Sequence, residues 1–125
     1  VYNKAVIGFD QAFLDAQIQK IPSEIRESFE VIKSRDMLLE FMPKGVTKAY
    51  GLSLLVRDLG LKQTEVMSIG DEENDLSMIE YAGMGVAMGN AVAQVKAVAD
   101  IVTATNEEDG VAKVVETYIL QEGSD

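Results

Sequence analysis

After Pro43 the sequence alternates without a break between short apolar β-type runs and helical segments, and few folds can absorb that order. A helix is predicted over about Thr47 to Leu59, stopped by Gly60; "EVMSIG" reads as a strand, and "DLSMIEYA" as a helix stopped by Gly83. Strand "MGVAMG", helix "AVAQVKAVA", strand "DIVTA" and a closing helix over about Gly110 to Leu120 complete the series. Parallel strands need a crossover between them, and a helix lying on the sheet supplies it. The expected fold class is therefore α/β, a parallel sheet flanked by helices through right-handed connections.

Residues 1–43 follow a different rhythm. "NKAVIGF" reads as a strand, and Asp10 then offers an N-cap for "QAFLDAQIQKI", whose Phe13, Leu14, Ile18 and Ile21 keep helical spacing until Pro22. "FEVIKS" and "MLLEFM", separated by "RD", form the pattern of a hairpin. We place a boundary near residues 42 to 45, giving a small α+β piece over 1–43 and an α/β unit over 44–125. The final "QEGSD" is expected to fray.

At 125 residues the chain can bury roughly two-thirds of its unfolded surface. A formal charge of −10 repels phosphate backbones and anionic lipid, which argues against a nucleic-acid or membrane partner. An anionic substrate would need local positive charge, from lysine or a metal ion. Neither cysteine nor histidine is present, so disulfides, thiolate sites and the commonest general base are excluded. Chemistry must come from carboxylates, lysines and hydroxyls. No apolar run approaches a membrane span and no signal-like segment opens the chain, so a cytoplasmic location is expected. The start at Val1 is expected of a piece of something longer.

The run "SIGDEENDLSMIEYAG" concentrates acids where the predicted strand ending at Gly70 turns into a helix. In parallel α/β sheets that is where ligands collect. If the helix starts near Asp71, then Asp71 and Asp75 share a side. Such a carboxylate pair suits magnesium, which takes one or two protein carboxylates and otherwise keeps water or substrate phosphate. Glu72 and Glu73 need no more than a solvated first helical turn, where negative charge is favourable by about 0.3 to 1 kcal/mol. In "MPKGVTKAY", Lys44 and Lys48 lie around a helix start, where positive charge opposes the helix dipole. An ammonium there can neutralise an acid and a phosphate together. The glycines of "AGMGVAMGN" flank a strand and do not make a phosphate loop: Gly83 stops a helix, and Gly89 with Asn90 makes a turn. Met37, Met42, Met67, Met78, Met84 and Met88 read as core filling.

Taken together, "KGVTK", "GDEENDLSMIEYAGMGVAMGNA", "VKAVAD" and "TxxNEEDGV" resemble the C-terminal half of a haloacid-dehalogenase-superfamily phosphatase of the Cof type, a group that includes sugar phosphatases. The resemblance implies the C-terminal half of a Rossmann-like core preceded by the last part of an α+β cap. It implies a magnesium-dependent phosphatase for small phosphorylated metabolites, sugar phosphates among them, working through an aspartyl-phosphate. Asp71 would bind Mg2+, Asp75 would support the metal site, and Asn74 would hold the phosphate. Lys48 matches the family's catalytic and phosphate-binding lysine, with Lys44 the other candidate; Ala49 stands where the family often has glycine.

The family's D-x-D-G-[TV] motif, with its nucleophile and acid/base, is missing, as is the Ser or Thr motif. The nearest candidate is "VIGFDQAF", and there Asp10 is better explained as a helix cap. The chain alone is thus expected to be inactive or nearly so. The resemblance also implies that the strand carrying the nucleophile lies beside the one ending at Gly70, which without it is expected to present an unpaired edge for a second copy, a swapped domain or an N-terminal half. A different class of reading is a non-enzymatic acidic α/β module that binds a divalent cation or a partner protein.

Overall fold

A computed structural model describes residues 3–120; the tail "QEGSD" lies outside the described residues. The described residues up to Pro43 form an antiparallel sheet with two helices: β1 (Ala5–Gly8), α1 (Gln11–Ile18), α2 (Ser23–Ser28), β2 (Phe29–Arg35) and β3 (Leu38–Pro43). The strand order is β1-β3-β2, with Val31 opposite Phe41 across the hairpin and Ala5 opposite Phe41 on the other side of β3. Asp10 caps α1 by accepting the Phe13 N–H at 3.0 Å. The helix α2 begins just after Pro22 and contains no buried residue, so no apolar stripe announces it in the sequence.

The second sheet is parallel. After α3 (Lys48–Asp58) come β4 (Met67–Gly70), a 3-10 turn (Glu73–Asp75), α4 (Leu76–Tyr81), β5 (Met84–Ala87), α5 (Ala93–Val98), β6 (Ile101–Val102) and α6 (Gly110–Tyr118). The order is β4-β5-β6, with Ile69 beside Val86 and Ala87 beside Val102. This is the α/β class that the alternation requires.

Thr47 caps α3 by accepting the Tyr50 N–H, and Gly60, at φ 67°, ends the helix in a left-handed conformation that favours glycine. The central strand β5 is covered on both faces, with Val86 and Ala87 at 0% exposure, which is why it reads as a continuous apolar run. Around it pack Ile79 of α4 and Val95 of α5 with Met88 and Ala91; Ile69 and Leu76 border this core. Of the methionines, Met88 is buried and Met42, Met67, Met78 and Met84 are half-buried, whereas Met37 stands 58% exposed at the hairpin turn. Met37 is therefore not core filling; a two-residue turn holds it clear of both sheets.

Among the described residues β4 has a neighbour on one side only, so one row of its backbone groups faces outward. No helix of the described residues is long and apolar enough to cross a membrane.

Candidate active site

The site is built where β4 ends. Asp75, in the turn after the strand, folds back so that its Oδ2 accepts the N–H of Asp71 at 2.9 Å and of Glu72 at 3.2 Å. Its Oδ1 accepts from Lys48 Nζ at 2.5 Å. Gly70 makes this return possible: a Cβ there would stand 2.5 Å from the Cβ of Asp75 and 2.8 Å from its Oδ2. Only glycine lets a carboxylate come this close under the strand end.

Asp75 is 4% exposed. Burial by itself would raise its pKa, but the Lys48 ammonium and the two backbone N–H groups outweigh that and hold the carboxyl below its ordinary range. Asp75 is thus an anion stabilised by the fold. The hydrogen bond ties the start of α3 to the turn before α4, and a second tie runs parallel to it, from the Ala49 N–H to Ser77 Oγ at 3.2 Å.

Of the two candidate lysines, Lys48 reaches the acid turn. Lys44 points elsewhere, donating to the Arg26 carbonyl at 3.0 Å and lying 3.4 Å from Glu30. The choice follows from position: Lys48 is the first residue of α3, directly opposite the turn, while Lys44 belongs to the loop leaving β3.

Asp71 is half-buried at the strand's end. Its carbonyl accepts the Val92 N–H at 2.9 Å, and its Oδ2 accepts from Asn90 Nδ2 at 3.2 Å. Lys48 and Asp71 are joined through Asp75, which touches the side chain of one and the backbone of the other. Asn74 lies in the same turn, half-buried, one residue before Asp75.

Glu72 and Glu73 depart from the expected solvated first turn. Both are half-buried against the antiparallel sheet, and burial raises the pKa of each. For Glu72 the charges of Asp71, Asp36 and Asp75 add to the rise; for Glu73, Lys33 opposes it. The packing of β2 against the turn, which no local pattern encodes, turns two surface acids into partly desolvated ones. Asn90 is a residue that sequence reasoning took for a turn former and that the structure puts on Asp71. Its place three residues after the buried strand β5 was the available signal.

The donors here are all oxygen, as a hard cation prefers. Among the described residues no three acids gather in one metal-sized cluster. Asp71 keeps access to solvent, while both oxygens of Asp75 are engaged by protein donors. Such a set fits magnesium, which needs few protein carboxylates and keeps the rest of its shell in water or phosphate.

A parallel sheet covered by helices, with a lysine-braced acid turn beyond a strand's carboxyl end, defines an α/β protein whose chemistry belongs at that end. Residues 1–115 match the family described as haloacid dehalogenase-like hydrolase, and the chain belongs to that family. It is similar to the stress response protein YhaX of Bacillus subtilis, 49% identical over 89 residues, which cover 71% of this chain and 31% of YhaX. It is also similar to the 5-amino-6-(5-phospho-D-ribitylamino)uracil phosphatase YcsE of Bacillus subtilis, 40% identical over 115 residues, or 90% of this chain and 46% of that protein. Among solved structures it resembles the HAD subclass IIB sugar phosphatase BT4131, with a TM-score of 0.78 and 33% identity over 93% of this chain and 43% of that one. These matches bear out the resemblance to Cof-type phosphatases, and the chain spans less than half the length of each of these relatives.

Proposed function

We propose that this chain supplies the metal- and phosphate-binding side of a magnesium-dependent phosphatase for small phosphorylated metabolites, sugar phosphates foremost. In this reading residues 1–43 are the end of a cap and 44–125 the second half of the core. The observation that carries it is the bridge from Lys48 through Asp75 to the Asp71 backbone, which puts an ammonium beside a strand-end acid turn. Support comes from relatives whose names are those of a sugar phosphatase and a phosphorylated-metabolite phosphatase. The cytoplasmic location goes with this reading, and so does pairing of the open β4 edge with the rest of the core or a second copy.

Phosphoryl transfer is governed by positioning and charge stabilisation. Asp71 would touch the cation, and Asn74 would reach a phosphate oxygen. Lys48, half-exposed beside the buried Asp75, would spread its charge toward the phosphoryl group. Magnesium, when bound, neutralises charge developing on the phosphoryl oxygens. Asp75 serves by holding Lys48 and the Asp71–Glu72 backbone rather than by direct contact. The nucleophile is an aspartate of D-x-D-G-[TV], absent from these 125 residues, so covalent transfer needs a second segment.

The test is hydrolysis of an aryl phosphate and a sugar-phosphate panel with magnesium. One sample is the 125-residue chain; the other is the same chain extended upstream through a D-x-D-G-[TV] segment. The extended form is expected to turn over, and Asp71→Asn or Lys48→Ala in it to lose about 100-fold or more in kcat. Robust turnover by the short chain, or indifference of the long one to both substitutions, overturns the reading.

A further inference from the structure

Asn90 stands in a loop that the chemistry above does not use. It follows β5 and Gly89, a position where asparagine is commonly found because it tolerates a left-handed backbone. That explanation fails here: among the described non-glycine residues only Asp109, at φ 59°, has a positive φ. The reason for an asparagine must lie in its side chain.

Both ends of that amide are used. Nδ2 donates to Asp71 Oδ2 at 3.2 Å, and Oδ1 accepts the Asn106 N–H at 2.9 Å. The side chain therefore bridges the end of β4 to the turn that follows β6. Its backbone is held on either side by buried neighbours, Met88 and Ala91, the second donating its N–H to the first at 2.9 Å. Gly89 lies so close to the next turn that a Cβ would stand 2.9 Å from the Thr105 nitrogen, and its N–H donates to the Ala104 carbonyl at 3.0 Å. Lys96 Nζ caps the Gly89 carbonyl at 2.6 Å. The same loop holds the Asp71 backbone, through Val92 N–H, at 2.9 Å.

We propose that Asn90 is a positioning residue for Asp71. It fixes the rotamer of the strand-end carboxylate by anchoring one oxygen, so that the other faces outward for a cation. The choice of residue follows from the geometry. Aspartate lacks the donor, serine lacks the reach to span both partners, and alanine has neither end of the bridge. The orientation of Asp71 is a claim about the protein alone; its value for binding a metal rests on the phosphatase reading.

The isotopically labelled 125-residue chain provides a metal-free test. Three-bond couplings from the backbone N and C′ of Asp71 to its Cγ report the populations of its χ1 wells. A single well is expected in the wild type, and averaging over the staggered wells in Asn90→Ala. Asn90→Asp guards against misfolding of the alanine variant: it keeps an acceptor for Asn106 N–H but sets an oxygen against Asp71, so the native rotamer is expected to be lost there too. Paramagnetic broadening by Mn2+ gives a second readout. Site-specific broadening at Asp71 is expected in the wild type, with affinity falling about 10-fold in Asn90→Ala. An Asp71 rotamer that stays in one well in both variants, or one already averaged in the wild type, overturns the proposal. A rotamer locked by Asn90 in a chain that shows no Mn2+ broadening near Asp71 supports the positioning and counts against the metal reading alone.

Discussion

The two sheets solve the problem of burial to different degrees. In the parallel one, β5 is covered on both faces, and Ile79, Val86 and Val95 are almost wholly removed from solvent. In the antiparallel one, all four residues of β1 are exposed, the rings of Phe9 and Phe13 meet at a tilt of 52° near solvent with centroids 4.6 Å apart, and among the described residues Leu14 and Leu39 are the buried apolar ones. The contrast lies in the cover each sheet receives: crossover helices lie over β5, whereas of the two helices beside the antiparallel sheet α1 buries only Leu14 and α2 buries nothing. Stability should therefore be concentrated in the half that carries the acid turn, and the other half should tolerate change.

The most severe challenge to that contrast is Ile79→Ala, which opens a void at the centre of the parallel half. We expect a loss of about 2–5 kcal/mol, read from the urea midpoint. Next is Asp75→Asn, which leaves a buried amide among Lys48 and two backbone donors. A loss of about 1–3 kcal/mol is expected, with the near-ultraviolet signal as a check that the fold survives. Acid sharpens the same point. Because the Asp75 pKa is lowered from an ordinary 3.8, its contribution is full above that pH and fades as pH falls below it. Glu72 and Glu73 act in the other direction. Their pKa values are raised from 4.5, so the folded state binds their protons more readily, and they cost stability as pH rises above 4.5. Urea midpoints of wild type and Asp75→Asn from pH 3 to 7 should thus converge toward the acid end. The smallest effect belongs to Val6→Thr on the exposed β1, within about 0.5 kcal/mol of wild type. If that substitution costs as much as Ile79→Ala, the asymmetry between the sheets is not real.

The parallel half was legible because its signals are local and agree with one another. Thr47 caps α3, Gly60 stops it, and apolar runs of strand length recur between helices. Four features were not: one lacks any local pattern, and the other three depend on contacts distant along the chain. The short α2 has no buried face to create a period. Glu72 and Glu73 are desolvated by β2, a strand from the other sheet. The choice between Lys44 and Lys48 needed the position of Asp75, and the Asn90 contact joins residues 19 apart. The acid turn itself was readable as a motif, but the role of Gly70 within it emerges only when the fold brings Asp75 back beneath the strand.

That return of Asp75 has a thermodynamic corollary. The lysine, the turn and the strand-end backbone are drawn together as the chain folds, so the loss of freedom needed to bring them together falls on the folding transition. In the phosphatase reading proposed above, a ligand arriving afterwards would meet groups already at their stations, and its affinity would carry little of that entropic charge.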